Sequence, residues 1–379
     1  MKAHNSVLLS MPGAKWIWLT LLACVWLALP GHGQVIVNEI LADNQTNAPL
    51  PDLPDYFPDY VELYNTGDVE IDLGAEGWRI GDMDTNFAFA AGLKIPAHGF
   101  LVVFCDSDTT PGVFHTGFGL SGTQGDAVAL YHNGLMVESN YFGIQAPSFG
   151  LGRVPDASNN AMVLTIPTPG TNNVAATLGD PLKLRMNEWQ SLGSGTSRTT
   201  NDWIEIFNTD TNPVSLVDLV LTDDPASDLP DNLDPDKRLK SFSFIGPQGF
   251  AVIYLPANAN DADELDYFSI SSSGGDQIWL YAADRITQID FVTSTNNVAN
   301  RTEGRLPDGA DFPTNYIAFK LSNPSRGESN FGPIPEIVIN EALAHVDPPL
   351  EDAIELHNPT TANVNIGSWW LSNNRDDPK

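Results

Sequence analysis

The chain has 379 residues, with 48 acidic and only 18 basic side chains, which gives a formal net charge of −30 at pH 7. This balance argues against a nucleic-acid partner, because binding a phosphate backbone requires clustered Lys and Arg. Hydrophobic residues make up 42% of the chain, which is enough for packed cores and argues against wholesale disorder.

Residues 1–33 have the pattern of a secretory signal peptide. Lys2 and Lys15 precede an apolar run from Trp16 to Leu29, and small residues follow up to Gly33. A basic start, an apolar stretch and small residues before the cut are typical of such a leader. We therefore expect cleavage near Gly33, a secreted or cell-surface location and no transmembrane segment in the mature chain. An uncleaved N-terminal anchor is the alternative.

Cys105 is the only cysteine after the predicted leader. The mature chain therefore forms no internal disulfide, which argues against a disulfide-stapled extracellular scaffold. Export without disulfides favours a bacterial protein over an animal one.

Several short blocks recur in one order with a period of about 150 residues. The period predicts one module over residues 34–175, a second over 181–332 and the beginning of a third over 337–379. The third copy holds only its first three strands, so we expect the natural chain to continue beyond Lys379. The residues that recur are Asn38, Glu39, Asp59, Glu62 and Asn65 in the first copy, Asn187, Glu188, Asp202, Glu205 and Asn208 in the second, and Asn340, Glu341, Asp352, Glu355 and Asn358 in the third.

Each block reads as a short β-strand. Apolar residues alternate in the runs, as at Val61 and Leu63 or at Val128 and Leu130, and turn-forming residues separate the runs. No helical period lasts more than a few residues beyond the leader. The pattern predicts an all-β chain of tandem β-sandwich modules.

The blocks resemble the lamin tail domain family, whose modules are immunoglobulin-like β-sandwiches. The resemblance rests on a strand ending in Asn-Glu, then Asp-x-[Ile/Val]-Glu-[Leu/Ile]-x-Asn, a Trp-containing strand at Trp78, and later Gly-Phe and Gly-Asp strands. The second copy departs from this order by having Leu219 near the position of the Trp. The resemblance implies non-catalytic, extracellular modules of the kind found in bacterial secreted proteins.

The recurring Glu and Asn residues allow two interpretations. Glu39 and Glu62 would form a carboxylate pair suited to acid–base chemistry or to a metal ion. In the structural interpretation, Glu62 lies on the polar face of a strand and Asn65 caps the following turn. We favour the structural interpretation, because an active site does not need three copies.

Two acidic loops suggest a weak calcium site. Asp223 with Asp224, and Asp261 with Asp263, offer the hard oxygen ligands that Ca²⁺ prefers, but neither loop has the order of an EF-hand. Solvated acidic loops that add solubility are the simpler interpretation, so no cofactor beyond weak Ca²⁺ is expected.

No sequence motif for a known catalytic site is present, so we expect no enzyme within these residues. The leading hypothesis is an exported array of β-sandwich modules for adhesion, spacing or binding of an extracellular protein or glycan. Aromatic residues such as Trp203 and Trp279 would suit either sugar stacking or core packing. The alternative is that the modules are the accessory region of a larger secreted nuclease, phosphatase or CotH-like kinase whose catalytic domain lies beyond residue 379.

Overall fold

The computed structural model describes the chain from Gln34 onward, with gaps. The described residues are 34–46, 56–82, 85–106, 114–191, 202–228, 239–255, 268–271, 273–295, 302–311, 319–321, 324–330, 337–344, 352–359, 364, 366, 369 and 371–372. The predicted signal peptide and the Asp261–Asp263 loop lie outside these ranges.

The first unit contains twelve strands in the described residues. They are β1 (Val35–Leu41), β2 (Asp59–Asn65), β3 (Ile71–Asp72), β4 (Trp78–Gly81), β5 (Asn86–Ala88), β6 (Lys94–Ile95), β7 (Phe100–Cys105), β8 (Asp126–His132), β9 (Leu135–Phe142), β10 (Gly150–Gly152), β11 (Val163–Ile166) and β12 (Val174–Ala175). They form a six-stranded sheet in the order β12-β11-β10-β1-β2-β7, a four-stranded sheet in the order β5-β4-β8-β9, and the short pair β3-β6.

The second unit repeats this arrangement, with ten strands among its described residues. After a 3₁₀ turn at Pro181–Lys183 it has β13 (Leu184–Gln190), β14 (Asp202–Asn208), β15 (Val214–Ser215), β16 (Val220–Thr222), the helical turn α1 (Pro225–Asp228), β17 (Phe244–Ile245), β18 (Phe250–Leu255), β19 (Gln277–Tyr281), β20 (Gln288–Thr293), β21 (Thr302–Gly304) and β22 (Phe319–Leu321). The sheets run β18-β14-β13-β21-β22, β16-β19-β20 and β15-β17. The predicted all-β class is confirmed, whereas the exact module boundaries stay predictions.

Each unit has its own apolar core between its sheets. In the first unit, Val61 and Val103 from the large sheet pack with Ile80 and Leu130 from the smaller one. Alternation along the strands turns these side chains inward, which is why the period of two is visible in the sequence. Cys105 is a buried free thiol in this core, and burial raises its pKa.

The two units exchange apolar side chains at their junction. Phe244 begins β17 of the second unit but packs in the core of the first. In return, Ile144 of the first unit packs against the core of the second. The backbone N–H of Phe244 donates to the carbonyl of Ile144 at 2.8 Å. The junction is therefore a short strand-like contact with side chains inserted in both directions.

The third copy is described as a hairpin of β23 (Val338–Leu343) and β24 (Ala353–His357). Its strands pair like β1 with β2, but every residue of both strands is exposed. No helix among the described residues is long and apolar enough to cross a membrane.

Candidate functional site

A β-bulge in the opening strand of each copy sets the geometry of the recurring residues. The register between β1 and β2 shifts between Val37 and Glu39, which leaves Asn38 as the extra residue. Such a bulge interrupts the alternation of side chains between the two faces. Val37 therefore points into the core, while Asn38 and Glu39 share the opposite face with Glu62. The same shift occurs at Asn187 and at Asn340.

In the first unit, Glu39 and Glu62 stand opposite each other on β1 and β2, and neither side chain is exposed to solvent. Glu39 accepts hydrogen bonds from the hydroxyls of Tyr60 and Thr165, both at 2.7 Å. Glu62 accepts from Asn38 Nδ2 at 3.0 Å and from the backbone N–H of Gly170 at 2.6 Å. Every carboxylate oxygen of the pair is therefore engaged by a neutral donor.

The segment after β11 covers this face of the sheet. Besides Gly170, Asn173 reaches into the network and donates from Nδ2 to the carbonyl of Asn38 at 2.9 Å. Asp156 accepts from Asn38 Nδ2 at 3.0 Å and from the N–H of Asn173 at 3.0 Å. The opening strand pair is thus tied to residues more than 100 positions later in the chain. The structural interpretation placed Glu62 on a polar strand face. The face is the polar one, but the covering segment buries it.

The second unit builds the same network from the equivalent residues. Asn187 Nδ2 donates to Glu205 at 3.2 Å and to Asp308 at 2.9 Å. The N–H of Gly327 donates to Glu205 at 2.6 Å, and Asn330 Nδ2 donates to the carbonyl of Asn187 at 2.9 Å. Pairwise, these contacts reproduce those of Asn38, Glu62, Asp156, Gly170 and Asn173.

Both units have a hydrogen bond from a threonine hydroxyl to the first glutamate of the pair, but the threonine lies on a different strand in each unit. Thr165 on β11 serves Glu39, whereas Thr302 on β21 serves Glu188. Thr302 occupies the position of Gly150 on β10, where a Cβ would lie 2.8 Å from the Thr165 hydroxyl. In the first unit, Gly150 leaves room for the Thr165 side chain to reach Glu39. In the second unit, Thr302 stands at the position of Gly150 and supplies the hydroxyl to Glu188.

An arginine, half-buried in the first unit and buried in the second, holds the edge of each opening strand that faces away from its paired strand. Arg153 donates from Nε to the carbonyl of Val37 at 2.9 Å and pairs with Glu138 at 2.7 Å. In the second unit Arg305 donates to Met186 and pairs with Asp290 at 2.8 Å. Each arginine thus bonds the backbone of the opening strand and an acidic side chain on a neighbouring strand, whereas the donors to the paired carboxylates are neutral amides and hydroxyls.

Burial raises the pKa of all four paired carboxyl groups. Desolvation is the main cause, and repulsion between the two carboxylates adds to it at Glu62 and Glu205. The pKa of Glu62 rises to about 7 and that of Glu205 to about 8. The pKa values of Glu39 and Glu188 rise as well, against the opposing effect of their hydroxyl donors.

The other recurring residues order the turns around the network. Asn65 donates from Nδ2 to the carbonyls of Val69 and Pro96, at 2.7 and 3.0 Å, and its Oδ1 accepts from the N–H of Gly67 at 2.9 Å. Asn208 makes the equivalent contacts in the second unit. Asp59 accepts from the N–H of Asn44 at 2.9 Å, and burial raises its pKa to about 7. Asp202 is also buried and accepts from the N–H of Ile270 at 2.8 Å.

In the third copy the network is only begun. Asn340 Nδ2 donates to Glu355 at 2.5 Å, but the residues of both strands are exposed. Glu341 and Glu355 pair across the strands as Glu39 and Glu62 do. Asp352 is exposed, and Asn358 follows β24 at half-buried depth.

The structure places the acidic residues proposed for calcium and the aromatic residues proposed for sugar stacking as follows. Asp223 and Asp224 follow β16 at the surface, while Asp261 and Asp263 lie outside the described residues. Within the described part of the chain, no group of three or more His, Cys, Asp or Glu side chains is placed to hold a metal ion. Trp203 is fully buried and donates to Gln190 at 2.9 Å, so it does not offer a face for a sugar.

The network is a set of internal hydrogen bonds that links the opening strand pair to the segment that covers it. A general acid or base must reach the proton it transfers. In the first and second units the paired carboxylates have no exposed surface, and internal donors occupy their oxygens. The sequence revealed the Asn and Glu residues by their recurrence. It did not reveal Thr165 and Thr302, because they do not align.

The antiparallel sheets with their shared cores define an immunoglobulin-like β-sandwich. Residues 29–142 match the family model of the lamin tail domain. The family has an immunoglobulin-like fold, consistent with a binding or structural module. No curated protein and no solved structure matches the chain.

Proposed function

We propose that the chain is an exported, non-enzymatic array of lamin-tail-like β-sandwich modules that binds or spaces extracellular partners. In this proposal residues 181–332 are a second module of the same kind, and 337–379 begin a third. The leader-like start of the sequence supports export, and the lamin tail match supports a binding or structural role for the first module.

One observation carries the non-enzymatic part of the proposal. The network is built twice, and in the two units the hydroxyl that serves Glu39 or Glu188 comes from different strands. Catalysis would require the reacting groups to keep one geometry and to be open to a substrate. What the two units share instead is that each buried carboxylate accepts hydrogen bonds from nearby side chains and backbone N–H groups.

Expression in an exporting bacterial host tests the proposal. We expect secreted material to begin at or within a few residues of Gln34, and the purified chain to cleave neither phosphodiester nor phosphomonoester substrates. Any trace activity should be the same in a folded Glu62→Gln, Glu205→Gln double variant. Cytoplasmic protein with intact Met1 would contradict export, and hydrolysis lost in the double variant would contradict the non-enzymatic role.

A further inference from the structure

A groove opens at the junction of the two units. Its floor is apolar and comes from core residues of the first unit, among them Phe142 and Met162. One wall is β9 with Tyr141, a second is the turn at Asn160, and a third is the segment before β17 with Phe242. Both units contribute residues to its lining, most of them from the first unit.

The backbone at Phe242 is in an unfavourable conformation. Its φ is 55°, in the left-handed region that bulky residues rarely adopt. The equivalent position in the first unit is Gly92, with φ 89°, where no side chain opposes that conformation. Gln145 holds the strained residue by donating from Nε2 to the Phe242 carbonyl at 2.7 Å. Strain of about 1–3 kcal/mol tends to be retained where a binding surface needs it. The Phe242 side chain packs partly against the core of the first unit, and the residue also lines the groove.

The groove also holds polar groups that the protein does not use. Ser139 Oγ is buried without a hydrogen-bond partner in the described structure. The side-chain amides of Asn159 and Asn160 are exposed and make no hydrogen bond to other described residues. Tyr141 is 59% exposed.

The charged side chains at the groove are already engaged. Arg153 pairs with Glu138, Asp126 accepts from the N–H groups of Ser121 and Ala127, and Lys240 has a partner within the protein. The groups left for a ligand are therefore uncharged: amides, hydroxyls and aromatic faces. The net charge of −30 further opposes a polyanionic ligand.

From this geometry we propose that the groove binds a neutral oligosaccharide, an inference that rests on the proposed binding role. Sugar hydroxyls both donate and accept, so they match the exposed side-chain amides of Asn159 and Asn160. The apolar face of a pyranose ring matches Tyr141 and Phe242. An apolar peptide would instead leave the amides desolvated and unpaired.

Calorimetry on the full chain tests the groove, with cellohexaose, xylohexaose, mannohexaose and chitohexaose as neutral probes and polygalacturonate as the acidic counterpart. We expect at least one neutral hexasaccharide to bind and polygalacturonate not to bind. Tyr141→Ala should weaken that binding about tenfold or more, which corresponds to about 1.4 kcal/mol. Asn160→Ala should weaken it by a smaller factor.

Leu135→Ala is the matched control, because Leu135 lies on the same strand, is 72% exposed and does not line the groove. It should leave the affinity unchanged, and all three variants should keep the parent thermal midpoint. The inference is overturned if no neutral probe binds at millimolar concentration, or if Tyr141→Ala binds as the parent does. Either result leaves export and the absence of hydrolysis to be judged separately, so the two proposals fail independently.

Discussion

At the scale of single residues, the unusual feature is a pair of buried carboxyl groups that accept hydrogen bonds from neutral amides and hydroxyls. Desolvation of such a pair is costly, and neutral hydrogen bonds offset only part of the cost. The raised pKa values of Glu62 and Glu205 express this balance. The bulge at Asn38 is what forces both glutamates onto one face.

Because the folded pKa of Glu62 is above its ordinary value, the native state holds this proton more tightly than the unfolded state does. The contribution of Glu62 to stability is therefore full below pH 4.5 and is lost as pH rises to about 7. The corresponding window for Glu205 runs from pH 4.5 to about 8. At about 1.4 kcal/mol per pKa unit, each loss amounts to a few kcal/mol.

Urea unfolding of the parent and of Glu62→Gln at pH 5, 6, 7 and 8 checks this prediction. Gln presents an NH₂ group to either Asn38 or Gly170, so the variant should be less stable at pH 5. That difference should shrink by a few kcal/mol towards pH 8. Glu76→Gln, at an exposed position, is the control and should track the parent. A constant difference between parent and Glu62→Gln would contradict the titration of Glu62.

Asn38 is predicted to be the most sensitive polar residue of the first unit. Its side chain donates to Glu62 and Asp156, and its Oδ1 accepts from the N–H of Ala157 at 3.2 Å. Asn38→Ala leaves buried acceptors without donors, so we expect a loss of about 2–4 kcal/mol. Chemical denaturation measures it, with the exposed Asn159→Ala as control. If Asn38→Ala lost less stability than the Asn159→Ala control, water would have to replace the Asn38 amide in its hydrogen bonds, and the prediction would be wrong.

At the scale of strands, the inserted Phe244 makes the second unit part of the core of the first. Phe244→Ala removes a side chain that is only 5% exposed, so we expect a loss of about 3–5 kcal/mol. Because the ring lies in the first core, hydrogen exchange should accelerate in β4 and β8 of the first unit. Faster exchange confined to β13 and β14 would contradict the insertion.

Lys94→Ala is the matched control for Phe244→Ala. Lys94 occupies the position of Phe244 in the first unit, but it is exposed and pairs with Glu70 at 2.7 Å. Its truncation should change stability by about 0.5 kcal/mol or less.

The same comparison shows which features of the strands the sequence predicts. Alternation at Val61 and Leu63 predicts their core positions, and Leu219 fills the place that Trp78 has in the first unit. Those positions follow from the alternation of residues within one strand or from alignment of the two copies, and both can be read from the sequence. The insertion of Phe244 cannot be predicted in this way, because the residue aligned with it in the first copy is the exposed Lys94. The burial of Glu62 depends on Gly170, more than 100 residues away, which no local pattern encodes.

At the scale of the whole molecule, the excess of acidic groups sets how the chain responds to ions. Self-repulsion of a net charge of −30 opposes the compact state, and salt screens it over a Debye length of about 10 Å at 0.1 M. Some acids outside the cores, such as the half-buried Asp72 and the exposed Asp284, already accept hydrogen bonds that lower their pKa. Thermal midpoints should therefore rise modestly between 10 and 300 mM NaCl. A falling midpoint would show that attractive ion pairs outweigh the repulsion.

Calcium should act mainly as another screening cation. Asp223 is half-buried and Asp224 is exposed, and within the described chain no third His, Cys, Asp or Glu side chain is placed to complete a metal site with them. A specific site saturated at 100 times its dissociation constant would add about 2.7 kcal/mol. We expect less, with millimolar CaCl₂ raising the thermal midpoint only slightly more than MgCl₂ at equal ionic strength. Asp223→Asn with Asp224→Asn should remove that small excess, whereas Asp284→Asn should not. Unfolding of the chain in chelator would contradict the prediction, because only a structural metal site makes folding depend on the ion.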